Sequence, residues 1–357
     1  MSKPTTSRRA VLAGLSGAVA TLAGCTSTVE SIGAPDGNSV AGSFPVVTEF
    51  ARQVAGDAAS VSGLVPLGQH GHGWQPAATV GRDVRAADAF VYVGEGFQPW
   101  ADRLVNTLRE EGSPVAAIAA REGVDLLPPP EHGAHDDHGE GDSHDDEHGN
   151  DEDDHETTHD GEHDSEPEHE GDDDEHDHGP VDPHYWLDPT RAAVSVGTVA
   201  EGLATFDPEN RATYERNAES FRAELADLDR TIERRLADRS RNAVLVAGHD
   251  AFQYLGRRYG VEIHALSGIS PDANPSPADV RRAQELVERE GITHVLAPAF
   301  ESDRAARQLV ADTDAEAVLP VTSFAGLRRE WVDAGWGYRE VMERVNLDSL
   351  ATALGAA

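Results

Sequence analysis

Short apolar runs alternating with amphipathic stretches predict an α/β protein of two lobes, each a mostly parallel sheet covered by helices. Three observations carry that prediction. The alternation occurs twice, before residue 120 and again after residue 240. Of the 357 residues, roughly 270 to 280 remain once a leader and a polar tract are set aside, more than one ordinary core. Between the two alternating regions, Tyr214, Ala218, Phe221, Leu225, Leu228, Ile232 and Leu236 recur at steps of four and three. They form one apolar stripe on a helix of about 25 residues. At 1.5 Å per residue that helix is roughly 38 Å long. It suits a spine between lobes or an ordinary surface helix, and periodicity alone allows both.

In chain order, residues 44–47 and 61–67 read as strands, with a helix at 49–55 between them. Residues 89–93 (Ala-Phe-Val-Tyr-Val) are a continuous apolar run and so a buried strand, followed by a helix at 100–109 and a strand at 115–118. A helix covers 190–206. Asp207-Pro208-Glu209-Asn210 then restarts helix, with Asp as cap and Pro in the first turn. In the second lobe, 243–247 (Ala-Val-Leu-Val-Ala) is a strand ending at Gly248-His249-Asp250, ahead of a helix at 251–259. Residues 293–298 and 317–321 are further strands, and 338–354 is the closing helix. The resulting division is a first lobe at 43–206, a linking helix at 207–238 and a second lobe at 239–357.

The N-terminal region has a different character. Ser7-Arg8-Arg9-Ala10-Val11-Leu12 is a twin-arginine pattern followed by an apolar run to Ala23. The run is about 14 residues, short for a permanent membrane helix. It closes on Leu22-Ala23-Gly24-Cys25, which resembles a lipobox, so residues 1–25 read as a lipoprotein signal and Cys25 as the lipidated residue. An uncleaved anchor is the alternative, and either places the protein outside the cytoplasm. Cys25 is the sole cysteine, so no disulfide within the chain is available. Residues 26–42 read as a flexible tether.

Residues 131–179 hold 11 histidines and 24 acids, with no Lys, Arg or aromatic residue. Such a tract has no apolar face to bury and is expected to stay disordered. It accounts for −24 of the net charge of −36, leaving 41 acids against 29 bases elsewhere. Lys3 is the single lysine. An acidic, lysine-poor surface suits concentrated salt and a halophilic source, or simply an acidic protein, and it argues against nucleic acid as a partner.

Outside the tract there are six histidines, at 70, 72, 184, 249, 264 and 294. Three stand in loops flanked by Gly or Pro: His72, His184 in Val181-Asp182-Pro183-His184-Tyr185-Trp186-Leu187-Asp188-Pro189, and His249. His249 and Glu301 fall at carboxyl ends of strands, where open α/β sheets hold ligands. Neutral imidazoles suit Zn2+ and other borderline ions, and three of them with an open or carboxylate position make a zinc set.

These segments resemble the solute-binding proteins of zinc and manganese ABC transporters. His72-Gly73-Trp74-Gln75-Pro76 is similar to the family's His-x-aromatic-acid-Pro segment, and Asp182 to Pro189 to its most recognisable motif. His249-Asp250-Ala251-Phe252-Gln253-Tyr254-Leu255 and Pro275-Ser276-Pro277 match the third-ligand segment and the stretch after it. The resemblance covers about residues 43–350. It implies two lobes joined by a long rigid helix with the metal in the cleft, His72 and His184 from the first lobe and His249 from the second. A third His implies zinc rather than Mn2+, and a His-rich charged loop is common in the zinc branch. Where the family often has an Asp, this chain has Thr322, so the fourth position falls to Glu301 or water. The implied function is a lipid-anchored, monomeric receptor that captures Zn2+ outside the cell for an ABC permease and its ATPase. A cell-surface metal buffer and a three-His zinc hydrolase are the alternatives, the latter without a His-Glu-x-x-His helix.

Overall fold

The computed structural model describes residues 38–130, 181–270 and 275–356. The expected leader with Cys25, the tether as far as residue 37 and the 131–179 tract lie outside the described residues.

The first sheet is formed by β1 (Asn38–Gly42), β2 (Ala59–Gly63), β3 (Ala89–Tyr92) and β4 (Ala116–Ala119), in the order β2-β1-β3-β4. Every pairing is parallel, with Val40 opposite Val61 and Ala41 opposite Phe90. Its helices are α1 (Pro45–Ala55), α2 (Val80–Arg85), α3 (Pro99–Glu110) and α4 (Pro189–Phe206). After α5 (Arg211–Leu236) the same plan repeats. Strands β5 (Ala243–Val246), β6 (Glu262–Ala265), β7 (His294–Pro298) and β8 (Ala317–Val321) pair in parallel in the order β6-β5-β7-β8. Helices α6 (Gln253–Tyr259), α7 (Pro277–Glu290), α8 (Arg304–Asp312), α9 (Arg329–Asp333), α10 (Tyr338–Val341) and α11 (Asp348–Leu354) complete this lobe. In each sheet the strand order reverses beside the first strand, which opens a crevice at the carboxyl ends.

Burial follows this arrangement. The central strands β3 and β5 are buried at every residue, as expected of strands covered on both faces. Along α5 the expected stripe, Tyr214 through Leu236, is buried. Each large apolar side chain so buried contributes about 1.5–3 kcal/mol. Phe221 lies 6.1 Å from Phe50 of α1, and Phe50 lies 5.5 Å from Tyr338 of α10. One apolar cluster therefore runs without a break from the first lobe through α5 into the second, while two smaller clusters fill the outer faces of the sheets. Asp229 on α5 anchors α6: Arg258 reaches both its carboxylate oxygens, at 2.8 and 2.6 Å, and Tyr259 donates at 3.0 Å. The long helix is a packed spine.

Several sequence expectations need correction. Residues 38–42, read as tether, form β1, and 44–47, read as a strand, are the turn into α1 and its first residues. Pro45, with its fixed φ and no N–H to lose, starts the helix. β2 begins and ends earlier than read, at Ala59–Gly63. Asp207 precedes a 3-10 turn, Pro208–Asn210, rather than α-helix directly, and its carboxylate accepts from the Asn210 and Tyr214 side chains. The closing helix contains a π-helical segment, Met342–Leu347. Among the described residues, no helix is long and apolar enough to cross a membrane.

Candidate metal centre

All the expected histidines lie beyond the carboxyl ends of the strands. His72 sits in the loop after β2, which is pinned to the other lobe by its backbone. Gly68 N–H donates to the Leu327 carbonyl at 2.9 Å and Gly71 N–H to the Ala325 carbonyl at 2.6 Å. Gly71 admits no side chain, because a Cβ there would meet the Phe44 ring at 2.5 Å and the Ala325 oxygen at 2.9 Å. That close approach sets the His72 ring edge-on to Phe44 and Phe97, with centroids 5.2 and 4.9 Å away.

Each residue of the Asp182–Asp188 segment has a visible task. Asp182 Oδ1 accepts from both the backbone N–H and Nδ1 of His184, at 2.9 and 2.8 Å. Trp186 Nε1 donates to the Ser323 carbonyl at 2.7 Å. Asp188 caps α4 through Thr190 N–H at 2.8 Å, with Pro189 in the first turn. His184 is fully buried. Burial holds its imidazole below the ordinary histidine pKa, outweighing the upward pull of Asp182, so the ring is neutral.

His249 follows β5. Gly248 before it lets β7 come close, since a Cβ there would lie 2.3 Å from Pro298 and 2.8 Å from Glu301 Oε2. Glu301 Oε1 thereby reaches Nδ1 of His249 at 2.5 Å. The other nitrogen, Nε2, is buried without a hydrogen-bond partner.

The structure thus brings His72, His184 and His249 together, with one ligand nitrogen from each inside a mutual separation of 4.8 Å. His184 Nε2 and His72 Nε2 are 3.3 Å apart. Two of the three rings carry a carboxylate on Nδ1, the arrangement that fixes the tautomer and turns Nε2 toward a cation. Chemically, three imidazoles converging in a largely buried cleft suit a borderline divalent ion.

Glu301 does not join that trio. It groups with His249 and His70 in a second cluster of the same compactness. Thr322 is occupied elsewhere: its N–H and carbonyl pair with the Asn346 amide at 2.8 and 2.9 Å, and its hydroxyl accepts from Phe324 N–H. His264 and His294 lie on β6 and β7 and belong to neither cluster. Sequence reasoning passed over His70, although its spacing from His72 was visible. It also passed over Asp182 as the partner of His184, for which the Asp-Pro-His spacing was the available signal.

The chain is similar to known proteins along most of its length. Residues 40–353 match the family described as zinc-uptake complex component A, periplasmic (ZnuA). The chain is 32% identical over 311 residues to a zinc-binding lipoprotein, AdcA, of Streptococcus pneumoniae, a match covering 86% of this chain and 54% of the lipoprotein. It therefore spans about half that relative's length. It is 26% identical to the high-affinity zinc uptake system protein ZnuA of Bacillus subtilis, covering 87% of this chain and 86% of that protein. The crystal structure of the Zn(II)-bound ZnuA-like domain of Streptococcus pneumoniae AdcA superimposes with a TM-score of 0.67 at 27% identity, covering 89% of this chain and 99% of that domain. The chain belongs to the ZnuA family of zinc-uptake solute-binding components.

Proposed function

We propose that this protein is an extracytoplasmic receptor that captures Zn2+ between its lobes and delivers it to an ABC-type permease. The observation that carries the reading is the convergence of His72, His184 and His249 from both lobes, two of them backed by carboxylates. Zinc is the cargo. The three imidazoles bind it, with His249 presenting Nε2, while Asp182 and Glu301 hold the rings of His184 and His249. Three nitrogen donors favour Zn2+ over the oxygen-preferring Mn2+. The family is a transport component, and no substrate turnover is expected of the site. Delivery requires that the ion be released by relative motion of the lobes.

The finer parts of the reading are proposals of the same kind. Cys25 carries a lipid that anchors the chain to the outer face of the membrane, and the chain works as a monomer with a permease and its ATPase. The 131–179 tract adds several weak metal positions to the single tight one. Calorimetric titration with zinc tests the core of the proposal. One tight class of site is expected, and it should be lost on changing His184 or His249 to Ala. A His249→Ala protein that binds as tightly as wild type would overturn a site shared by both lobes.

A further inference from the structure

Among the described residues, His70, His249 and Glu301 form a second cluster whose ligand atoms lie within 4.8 Å of one another. The two clusters share His249 and differ in depth. The inner cluster has two fully buried side chains, His184 and His249, with His72 half-buried, whereas in the outer one only His249 is buried, the Glu301 side chain being 17% exposed and His70 half-buried. His70 stacks on His72 with ring centroids 5.2 Å apart and meets His249 edge-on at 5.9 Å. An ordered path of donor groups thus leads inward from the rim, from Glu301 and His70 through His249 to His72 and His184.

We propose that His70, His249 and Glu301 form an outer, transient zinc site that receives the ion at the rim and passes it to the inner site. This inference rests on the reading of the inner trio as the zinc site. Two imidazoles and a carboxylate are a competent first set of ligands for Zn2+, with water completing the shell. His249 is the pivot because it belongs to both clusters and has two unlike nitrogens: Nδ1 meets Glu301 at 2.5 Å, and Nε2 is buried without a hydrogen-bond partner. With zinc outside, Nδ1 ligates and the ring proton sits on Nε2. With zinc inside, Nε2 ligates and the proton returns to Nδ1, where Glu301 accepts it. No proton is gained or lost across the transfer. Glu301 exchanges one role for another, ligand in the outer state and hydrogen-bond acceptor in the inner state. Gly71 keeps the two histidines of the loop in step, since its N–H is fixed to Ala325 between them.

The test compares variants of the full chain, all carrying the same acidic tract so that its binding cancels. Zinc is titrated calorimetrically into wild type, His184→Ala, and His184→Ala combined with His70→Ala or Glu301→Gln. His184→Ala should abolish the tight class; if it does not, the inner-site reading fails whatever His70 does. In that background the outer site should remain as a weaker class, in excess of the tract's own weak positions, and either second change should remove that excess. Identical titrations of the single and double variants would overturn the outer site while leaving the inner one standing. His72→Ala replaces His184→Ala if circular dichroism shows the latter unfolded. In the otherwise wild-type chain, His70→Ala should slow zinc capture, followed in stopped flow by tryptophan fluorescence, by about tenfold, the scale on which loss of a group supporting a metal site acts. Its equilibrium affinity should fall by less. An unchanged capture rate overturns the proposal.

Discussion

Gln253, on the first turn of a second-lobe helix, donates its side-chain amide to Oδ2 of Asp182 at 3.1 Å, while the other oxygen of that carboxylate holds His184. The next residue, Tyr254, donates to the Asp182 carbonyl at 2.7 Å and accepts from Leu127 N–H at 2.8 Å. The second lobe therefore helps to orient a histidine of the first. Because α6 also begins four residues after His249, movement of that segment reaches two of the three imidazoles together.

Asp182→Asn keeps an acceptor but removes the negative charge behind His184, and zinc affinity should fall about 10- to 100-fold. Gln253→Ala should weaken zinc by less, about fivefold, which corresponds to one net hydrogen bond of about 1 kcal/mol. Calorimetric titration measures both. A Gln253→Ala protein with lowered stability and unaltered zinc affinity would show that Gln253 joins the lobes without orienting His184.

Gly71→Ala forces a methyl group against the Phe44 ring, which itself packs on His72 and Phe97. Such overpacking costs about 1–3 kcal/mol. Denaturant unfolding should show that loss, and zinc titration should show a parallel loss of affinity, because Phe44 cannot move without displacing the His72 ring. Wild-type affinity in the Gly71→Ala protein would mean that the loop adjusts independently of His72.

Acid should weaken the zinc-free protein through His184. Its folded-state pKa lies below the ordinary value of 6.5 because burial disfavours the cation. The unfolded chain thus takes up the proton first on acidification. The stability from the neutral ring is complete above about pH 6.5 and is lost as pH falls from there through the lower folded-state value. Unfolding free energies measured between pH 7.5 and 5 should decline on the acid side, and His184→Gln should reduce that slope. If the slope is the same in both proteins, other groups govern the acid limb.

Much of the architecture was legible because its signals are local. The runs at Ala89 and Ala243 are apolar at successive residues, as strands buried on both faces must be, and the α5 stripe kept its period from Tyr214 to Leu236. The edge strand Glu262–Ala265 escaped notice because half-exposed strands need no apolar run. Asn38–Gly42 escaped because its small, polar residues resemble linker, and only pairing with β2 and β3 makes it a strand. At the site, the trio could be read from histidines set in loops beside Gly and Pro. The Glu301 bond to His249 spans 52 positions, and the Gln253 bond to Asp182 spans 71. The first is set by the pairing of β5 with β7 inside the second lobe and the second by how the lobes pack, and no single stretch encodes either.

The segment after β8 shows what Thr322 does at the position where the family resemblance leads one to expect an acid. Asn346, on the π-helical segment, clasps both backbone groups of Thr322, and the Thr322 hydroxyl accepts from Phe324 N–H at 3.0 Å. Phe324 has a φ of 59°, an uncommon conformation for a bulky side chain. The turn it makes directs the Ser323 carbonyl to Trp186 and the Ala325 carbonyl to Gly71. Thr322 thus builds the bridge that carries the second lobe to the two first-lobe ligand segments. Asn346→Leu should leave two buried backbone groups unpaired, at about 1–3 kcal/mol each, and should lower the unfolding midpoint markedly. Thr322→Ala removes one acceptor and should cost about 1 kcal/mol, with zinc affinity close to wild type because the hydroxyl faces its own turn. Thr322→Val retains the shape without the acceptor and should behave as Thr322→Ala does. A large loss of zinc affinity in both Thr322 variants, at unchanged stability, would instead make the hydroxyl a direct ligand and overturn its role as a turn former.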